Sequence, residues 1–267
     1  MNICFYTSEH PTVASLLNMH YLIAQRPGNN YTFLKIRSRP QPSPGLVDRL
    51  KKIYGEWRFD DGRFDFGRDL ALLDKKLKKQ VHHIDHGQLR TGYANSVNDE
   101  MSEQFLDETR PDLIIQAGAG ILKQNIFGRA TTINVHHGIA PEIRGIESTF
   151  WCLYYGLKDK IGVTCHLIDE TLDTGAIVAQ QALAAEATSF TDIQYDNIML
   201  GREVLLQGVD LLAKGRYHFR SVGDVPSYYF GWPPSALYSD LRKNNFAPVK
   251  DIGDKTFKMK EKKYLSH

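Results

Sequence analysis

The order strand, helix, strand over residues 1–36 leaves this chain few folds to choose from. Asn2 to Thr7 reads as a short strand. Pro11 suits the first turn of a helix, where a missing N–H costs nothing. Val13, Leu16, Leu17, His20 and Ala24 then recur at helical spacing. Pro27-Gly28-Asn29-Asn30 breaks the chain, and Tyr31 to Ile36 returns as a strand. A unit of this kind seeds a parallel sheet with its crossover helix packed on one face, so the expected class is α/β.

The same alternation continues. Leu70 to Leu77 carries a helical pattern, and Val81 to Asp85 reads as a short strand. Val97, Met101, Phe105 and Glu108 share a helical face that must end before Pro111. Leu113-Ile114-Ile115 is a continuous apolar run, as expected of a strand buried on both faces. Ala117-Gly118-Ala119-Gly120 follows it, where small residues let a ligand approach the backbone at a strand's carboxyl end. Thr131 to Val135 is the next strand, with His136 at its end. Ile161 to Ile168 and Ala176 to Leu183 are strands around a polar loop, and Thr191 to Ala213 is a long helix stopped by Gly215.

Two stretches depart from the pattern. Residues 39–69 begin with Arg39-Pro40-Gln41-Pro42-Ser43-Pro44-Gly45, which suits neither helix nor central strand, and continue through Trp57, Phe59, Phe64 and Phe66. Such an insertion reads as a lid, binding loop, oligomer contact or solvated excursion. Residues 221–267 form an aromatic, lysine-rich C-terminal extension to a catalytic unit spanning 1–220. Tyr228, Tyr229, Phe230, Trp232 and Tyr238 crowd its first half.

Bulk properties exclude some classes. The 33 basic and 31 acidic residues of this 267-residue chain nearly cancel, so nothing global points to nucleic acid. The Lys255–Lys263 run reads as a solvated tail. Three cysteines, with no C-x-x-C pair, suit a reduced cytoplasmic compartment. No basic, apolar leader opens the sequence, and no apolar run is long enough to span a bilayer. A symmetric homodimer is the default for an enzyme of this size, with the insertion or the Trp232 segment as its surface.

The stretch from Ile133 to Gln181 gathers residues able to do chemistry. Asn134 can donate an amide hydrogen bond to a developing oxyanion. His136, two residues on, faces the same way if strand geometry persists, and its ordinary pKa suits proton exchange near neutrality. Asp173 can orient His136 or relay a proton through water, with Gly175 allowing a tight turn beside it. Each also has a plain structural reading as a cap, loop or turn residue.

Read together, Asn134-Val135-His136, Pro141 to Gly145, Gly162 to His166 and Asp173-Thr174-Gly175 fall in order on a family pattern. The pattern runs Asn-x-His, Leu-Pro-x-x-x-Gly, Gly-x-Thr/Ser-x-His and Asp-x-Gly. The chain resembles the folate-dependent formyltransferases, which include glycinamide ribonucleotide, methionyl-tRNA and sugar N-formyltransferases. More loosely, the likeness runs from Met1 to about Tyr217. It implies a Rossmann-like, mostly parallel twisted sheet with flanking helices, 10-formyltetrahydrofolate as formyl donor, and no metal. It also implies catalytic roles for Asn134, His136 and Asp173, with His166, Arg144 and Gly175 in second rank. Ala117, Gly118, Ala119, Gly120, Ile121 and Leu122 match the loop that approaches the pterin, and Asp169 joins them on the folate side.

Departures narrow the acceptor. His137 stands where many relatives have proline. Thr7-Ser8-Glu9-His10-Pro11 replaces the phosphate loop of the purine-pathway enzymes, and Glu9 repels phosphate. The segment after Ser221 looks short for a tRNA-binding domain and reads instead as an acceptor pocket or dimer surface. An amino-sugar nucleotide or another small metabolite amine is therefore the expected acceptor, with no nucleic acid and no membrane as partner. The competing expectations are a 10-formyltetrahydrofolate hydrolase on the same scaffold, a metal enzyme built on His82, His83, Asp85 and His86, and a non-catalytic folate- or nucleotide-binding protein.

Overall fold

In the computed structural model, residues 1–38, 63–81, 84, 89–184, 189–215, 227–233, 235–245 and 247–249 are described. Strand β1 (Asn2–Ser8), helix α1 (Val13–Gln25) and strand β2 (Asn30–Ile36) form the expected unit, with Asn2 opposite Asn30 and Ser8 opposite Ile36 in parallel register. The helix begins two positions later than Pro11 suggests. Thr12 is its cap, accepting the Ser15 N–H at 3.1 Å, because a threonine oxygen satisfies a free N–H that proline cannot.

Helix α2 (Arg63–Lys78) contains the expected Leu70–Leu77 pattern, so residues 63–69 belong to it. Leu73 and Leu77 bury against Leu17 of α1. Residues 39–62, including Trp57, lie outside the described residues. The strand expected at Val81–Asp85 is not formed at Val81 or Ile84; His82, His83, Asp85 and His86 lie outside the described residues, and with them the proposed metal cluster. The third parallel strand is instead β3 (Arg90–Ala94), which pairs with β2. Its sequence, Arg-Thr-Gly-Tyr-Ala, has no apolar run because it is an edge strand covered on one face by helix α3 (Glu100–Thr109). A Cβ at Gly92 would stand 2.3 Å from the Phe105 ring. Asp99 caps α3 by accepting the Ser102 N–H at 3.0 Å, and Arg110 ends it in the left-handed region, just before Pro111.

Strands β4 (Leu113–Ala117) and β5 (Thr131–His136), separated by the short helix α4 (Gln124–Phe127), complete the parallel part of the sheet. A small strand β6 (Ile143–Gly145) and helix α5 (Ser148–Tyr154) then lead to β7 (Gly162–Leu167) and β8 (Ile177–Ala182), both added antiparallel. The strand order is β3-β2-β1-β4-β5-β7-β8. The chain reverses direction across the sheet between β1 and β4, and such a reversal opens a crevice at the carboxyl ends of the strands.

Helix α6 (Phe190–Ala213) covers one face, burying Val204, Leu205 and Val209 against Ile133, Val163, Cys165 and Val178. The described part of the aromatic C-terminal segment adds to the fold. Strand β9 (Tyr228–Phe230) pairs with β6, and helix α7 (Ser235–Lys243) packs on α5. Phe230 stacks on Trp151 at 5.1 Å, while Tyr238 and Leu241 are fully buried beside Phe150. Most of these aromatics are used in a second core; Trp232 remains 69% exposed.

Candidate active site

Sheet register brings the first pieces together. Asn134 is the Cα partner of His166 across the antiparallel β5–β7 pair, and His136 is the partner of Thr164. The Asn134 Nδ2 lies 3.4 Å from His166 Nε2. The His166 Nδ1 donates to the Leu167 carbonyl at 2.8 Å, so the neutral ring presents a bare Nε2 to the Asn134 amide. His136 shows the same logic at a different nitrogen. Its Nε2 donates to the Ile143 carbonyl at 2.9 Å, which leaves Nδ1 facing Asp173.

Asp173 sits between the two imidazoles. One oxygen is 3.6 Å from His136 Nδ1 and the other is 3.5 Å from His166 Nε2. The first also accepts the Gly145 N–H at 2.9 Å. All three side chains are buried, Asp173 at 7% exposure. Burial pushes the Asp173 carboxyl up, but the two imidazoles and the Gly145 N–H outweigh it and hold the pKa at about 2. Burial pushes the His136 imidazole below its ordinary value, against the upward pull of Asp173. The group therefore sets a firm carboxylate against one nitrogen of each imidazole, so a proton on either of those nitrogens points at Asp173.

Neighbouring motif residues position this cluster. A Cβ at Gly175 would fall 1.7 Å from the Leu167 carbonyl oxygen, so only glycine lets the Asp173 loop close against β7. Asp173 itself occupies the left-handed region, at φ 52°. Gly145 has φ 95°, and a Cβ there would stand 2.0 Å from the Phe230 carbonyl oxygen. The aromatic segment thus presses on the residue that holds Asp173. Thr164 accepts from Ala140 N–H and donates to the Gly138 carbonyl at 2.7 Å, which wires the turn after His136 to β7. Arg144 reaches the Leu172 carbonyl only at 3.5 Å and leaves its buried Nε without a partner among the described residues.

The Ala117–Leu122 loop forms a separate lip. Gly118 and Gly120 have φ of 84° and 118°, conformations glycine adopts freely. The Gln116 side chain spans them, donating to Gly120 O at 3.0 Å and accepting from Gly118 N at 3.2 Å. Ile121 is 56% exposed, whereas the Leu122 side chain is buried, so Leu122 offers a ligand only its main chain. Asp169 is exposed and organises its own loop, accepting from the Thr171 N–H and from the Thr171 and Thr174 hydroxyls at 3.0–3.1 Å.

Two contributors were placed low or missed by sequence reasoning. His166 stands as close to Asp173 as His136 does, and only the β5–β7 pairing reveals it. A cavity of about 230 Å³ opens at the β1–β4 reversal between α1 and the sheet, lined by Asn18, Gln116, Gly118, Asn134 and His137 among others. Asn18 carried no sequence signal, since it follows no motif. Among the described residues, no group of three or more His, Cys, Asp or Glu is placed to hold a metal, and no helix is long and apolar enough to cross a membrane.

A mostly parallel sheet of the 3-2-1-4-5 order, with two imidazoles around a buried aspartate, defines a Rossmann-like α/β protein with a candidate acid–base site. Residues 70–200 match the formyl transferase family model, and the chain resembles the folate-dependent formyltransferases. It is 34% identical over 120 residues to the methionyl-tRNA formyltransferase of Syntrophus aciditrophicus, covering 43% of this chain and 38% of that one. It is 27% identical over 158 residues to that of Thermotoga maritima, covering 58% and 49%. The chain thus spans less than half of either relative. A sugar N-formyltransferase structure from a Shewanella species has a TM-score of 0.55 at 15% identity, covering 86% of this chain and 76% of its own. Glycinamide ribonucleotide transformylase 1 from Symbiobacterium toebii has a TM-score of 0.53 at 15% identity, covering 82% and 91%. At such identities these structures speak to the fold alone.

Proposed function

We propose that this protein is an N-formyltransferase that moves a formyl group from 10-formyltetrahydrofolate to the primary amine of an amino-sugar nucleotide or another small metabolite. The observation that carries this reading is the linked set Asn134–His166–Asp173–His136, seated at the carboxyl end of β5 inside the family match. The glycine-rich lip at Ala117–Ile121, with a braced main chain and an exposed Ile121, suits the flat face of a pterin. The folate supplies an activated N-formyl group. In this reading the amine nitrogen bonds to the formyl carbon as the folate N10–carbon bond breaks. The Asn134 amide donates to the oxygen as its negative charge grows, a contribution of roughly 10²–10³ in rate for such a donor. The proton leaving the amine is taken up at the His136–Asp173–His166 group, and one returns to the departing nitrogen. The products are a formamide and tetrahydrofolate, with no net proton change.

The buried, unpaired Cys4, Cys152 and Cys165 fit a reduced cytoplasmic setting, and exposed Trp232 offers a surface for a homodimer. A second reading has a specific observation behind it. The curated relatives carry the name methionyl-tRNA formyltransferase, which makes an aminoacyl-tRNA amine the alternative acceptor. The deciding assay is tetrahydrofolate release with amino-sugar nucleotides, glycinamide ribonucleotide, charged initiator tRNA or no amine. Acceleration by one amino-sugar nucleotide, with a formylated product by mass, supports the reading. Turnover of the tRNA alone replaces the acceptor, and release at one rate regardless of amine makes the protein a hydrolase.

A further inference from the structure

Strand β6 is three residues long, yet two members of the candidate cluster hang on its main chain. The Ile143 carbonyl at its start accepts His136 Nε2–H at 2.9 Å, and the Gly145 N–H at its end donates to the Asp173 carboxylate at 2.9 Å. Among the described residues, β6 pairs with no strand but β9. That pairing fastens both ends of β6. The Tyr228 N–H donates to the Glu142 carbonyl at 2.7 Å, and the Ile146 N–H donates to the Phe230 carbonyl at 3.0 Å. A pair of strands this short has little stability of its own, so its place depends on what it packs against. Helix α5 supplies the anchor. The Phe230 ring stacks on Trp151 at 5.1 Å and 11°, and the Trp151 indole N–H donates to the Gly231 carbonyl at 2.8 Å.

The position of β6 decides where His136 carries its proton. In the neutral ring two acceptors compete for one hydrogen: the Ile143 carbonyl, 2.9 Å from Nε2, and the Asp173 carboxylate, 3.6 Å from Nδ1. A carboxylate is the stronger acceptor of the two, and a bare nitrogen facing it is repelled. The proton stays on Nε2 because the carbonyl is nearer, and the carbonyl is nearer because β9 holds β6 against the ring. If β6 drew back, the proton would pass to Nδ1 and point at Asp173. The nitrogen facing Asp173 would then have no lone pair with which to accept a proton from an amine.

We propose that β9 is a strap on the candidate active site: by fixing β6 it sets the tautomer of His136 and the hydrogen bond to Asp173, with Tyr228 and Trp151 as positioning residues. The effect on turnover rests on the formyl-transfer reading, but the first readout does not. The full chain is labelled with ¹⁵N-histidine, and the His136 ring nitrogens are assigned by their loss in His136→Gln. In the wild type at pH 7, Nε2 should resonate as a protonated nitrogen and Nδ1 as a bare one. Tyr228→Pro removes the N–H that ties β9 to Glu142, and Trp151→Phe keeps a ring under Phe230 but removes the indole N–H. In both variants the two resonances should move toward each other, the signature of a mixed tautomer. Leu241→Ala, in the same second core but outside the β6–β9 pair, should lower the melting temperature and leave both resonances in place. Unmoved resonances in folded Tyr228→Pro, or equal movement in Leu241→Ala, overturn the proposal. If Tyr228→Pro does not fold, Trp151→Phe decides by the same criterion. Formyl transfer by Tyr228→Pro should fall about tenfold or more in kcat with KM little changed. A shifted tautomer in a protein that formylates no amine would overturn the formyl-transfer reading and leave the strap standing. Unmoved resonances in an active formyltransferase would do the reverse.

Discussion

Asn134 and His166 face each other across the β5–β7 pair, and their side chains meet at 3.4 Å, amide nitrogen to bare imidazole nitrogen. That contact ties the candidate oxyanion donor to the aspartate, because the same His166 nitrogen is 3.5 Å from Asp173. The amide proposed to donate to the formyl oxygen thus touches the group proposed to handle the proton.

Asn134→Ala should lower kcat by roughly 10²–10³ with little change in melting temperature, because it removes one donor from a half-buried strand position. Steady-state formyl transfer and thermal unfolding check both halves. Near-normal turnover would remove Asn134 from the mechanism.

His166→Ala should cost about tenfold or more in kcat, of the order expected when a proton-transfer group loses its orientation. Its effect and that of Asn134→Ala should be less than additive, since each breaks the same contact. A double-mutant cycle on kcat reads this directly. Full additivity would mean that the Asn134–His166 contact does not position the amide.

Asp173→Asn is a clean probe of charge, because asparagine tolerates the left-handed conformation that Asp173 adopts at φ 52°. We expect kcat to fall by about 10² or more, on the scale of lost acid–base catalysis. The lowered carboxyl pKa predicts a stability effect as well. Asp173 is held at about 2, below its ordinary 3.8, so its contribution is present above about pH 4 and is lost as pH falls toward 2. The shift corresponds to about 2 kcal/mol. Urea unfolding at pH 5 and pH 2.5 should show a smaller acid loss in the variant than in the wild type.

His137 acts in a different pH window. Its folded pKa of about 4 lies below its ordinary 6.5, so the unfolded chain binds the proton first. Stability contributed by the neutral ring is complete above about pH 6.5 and drains away down to about pH 4. The loss should be about 3 kcal/mol. His137→Phe should flatten this part of the stability profile while leaving the Asp173 window in place. An unchanged slope between pH 6.5 and 4 would show that His137 is not the group being titrated.

Gly175→Ala should be among the most damaging single-methyl changes in the chain. The added carbon would sit 1.7 Å from the Leu167 carbonyl oxygen, a backbone atom that cannot swing aside. Destabilisation of about 3 kcal/mol or more is expected from such a backbone clash, or failure to accumulate folded protein. Gly28→Ala is the control, because a Cβ there meets nothing within 4 Å. Equal stability of the two variants would contradict the loop geometry around Asp173.

The sequence alone was sufficient for the α/β class and for most strand and helix ends to within a residue or two, such as Tyr31–Ile36 against the observed Asn30–Ile36, and it singled out Asn134, His136 and Asp173 as the residues to test. The class and the element ends depend on local patterns, apolar runs and helical spacing, and the residue set depends on a resemblance of motifs. Tertiary structure decided the rest, for reasons of distance and of surface. Strand β3 was hidden because an edge strand with one covered face has no apolar run to betray it. The weight of His166 came from pairing residues 32 positions apart, which no local spacing encodes. By composition the aromatic tail reads as a pocket or dimer surface; in the fold Phe230 and Tyr238 complete a second core, and Phe230 pairs with Gly145. Asn18 and His137 became visible as a pair only when folding brought α1, β5 and α6 around one cavity and left each with an unpartnered atom.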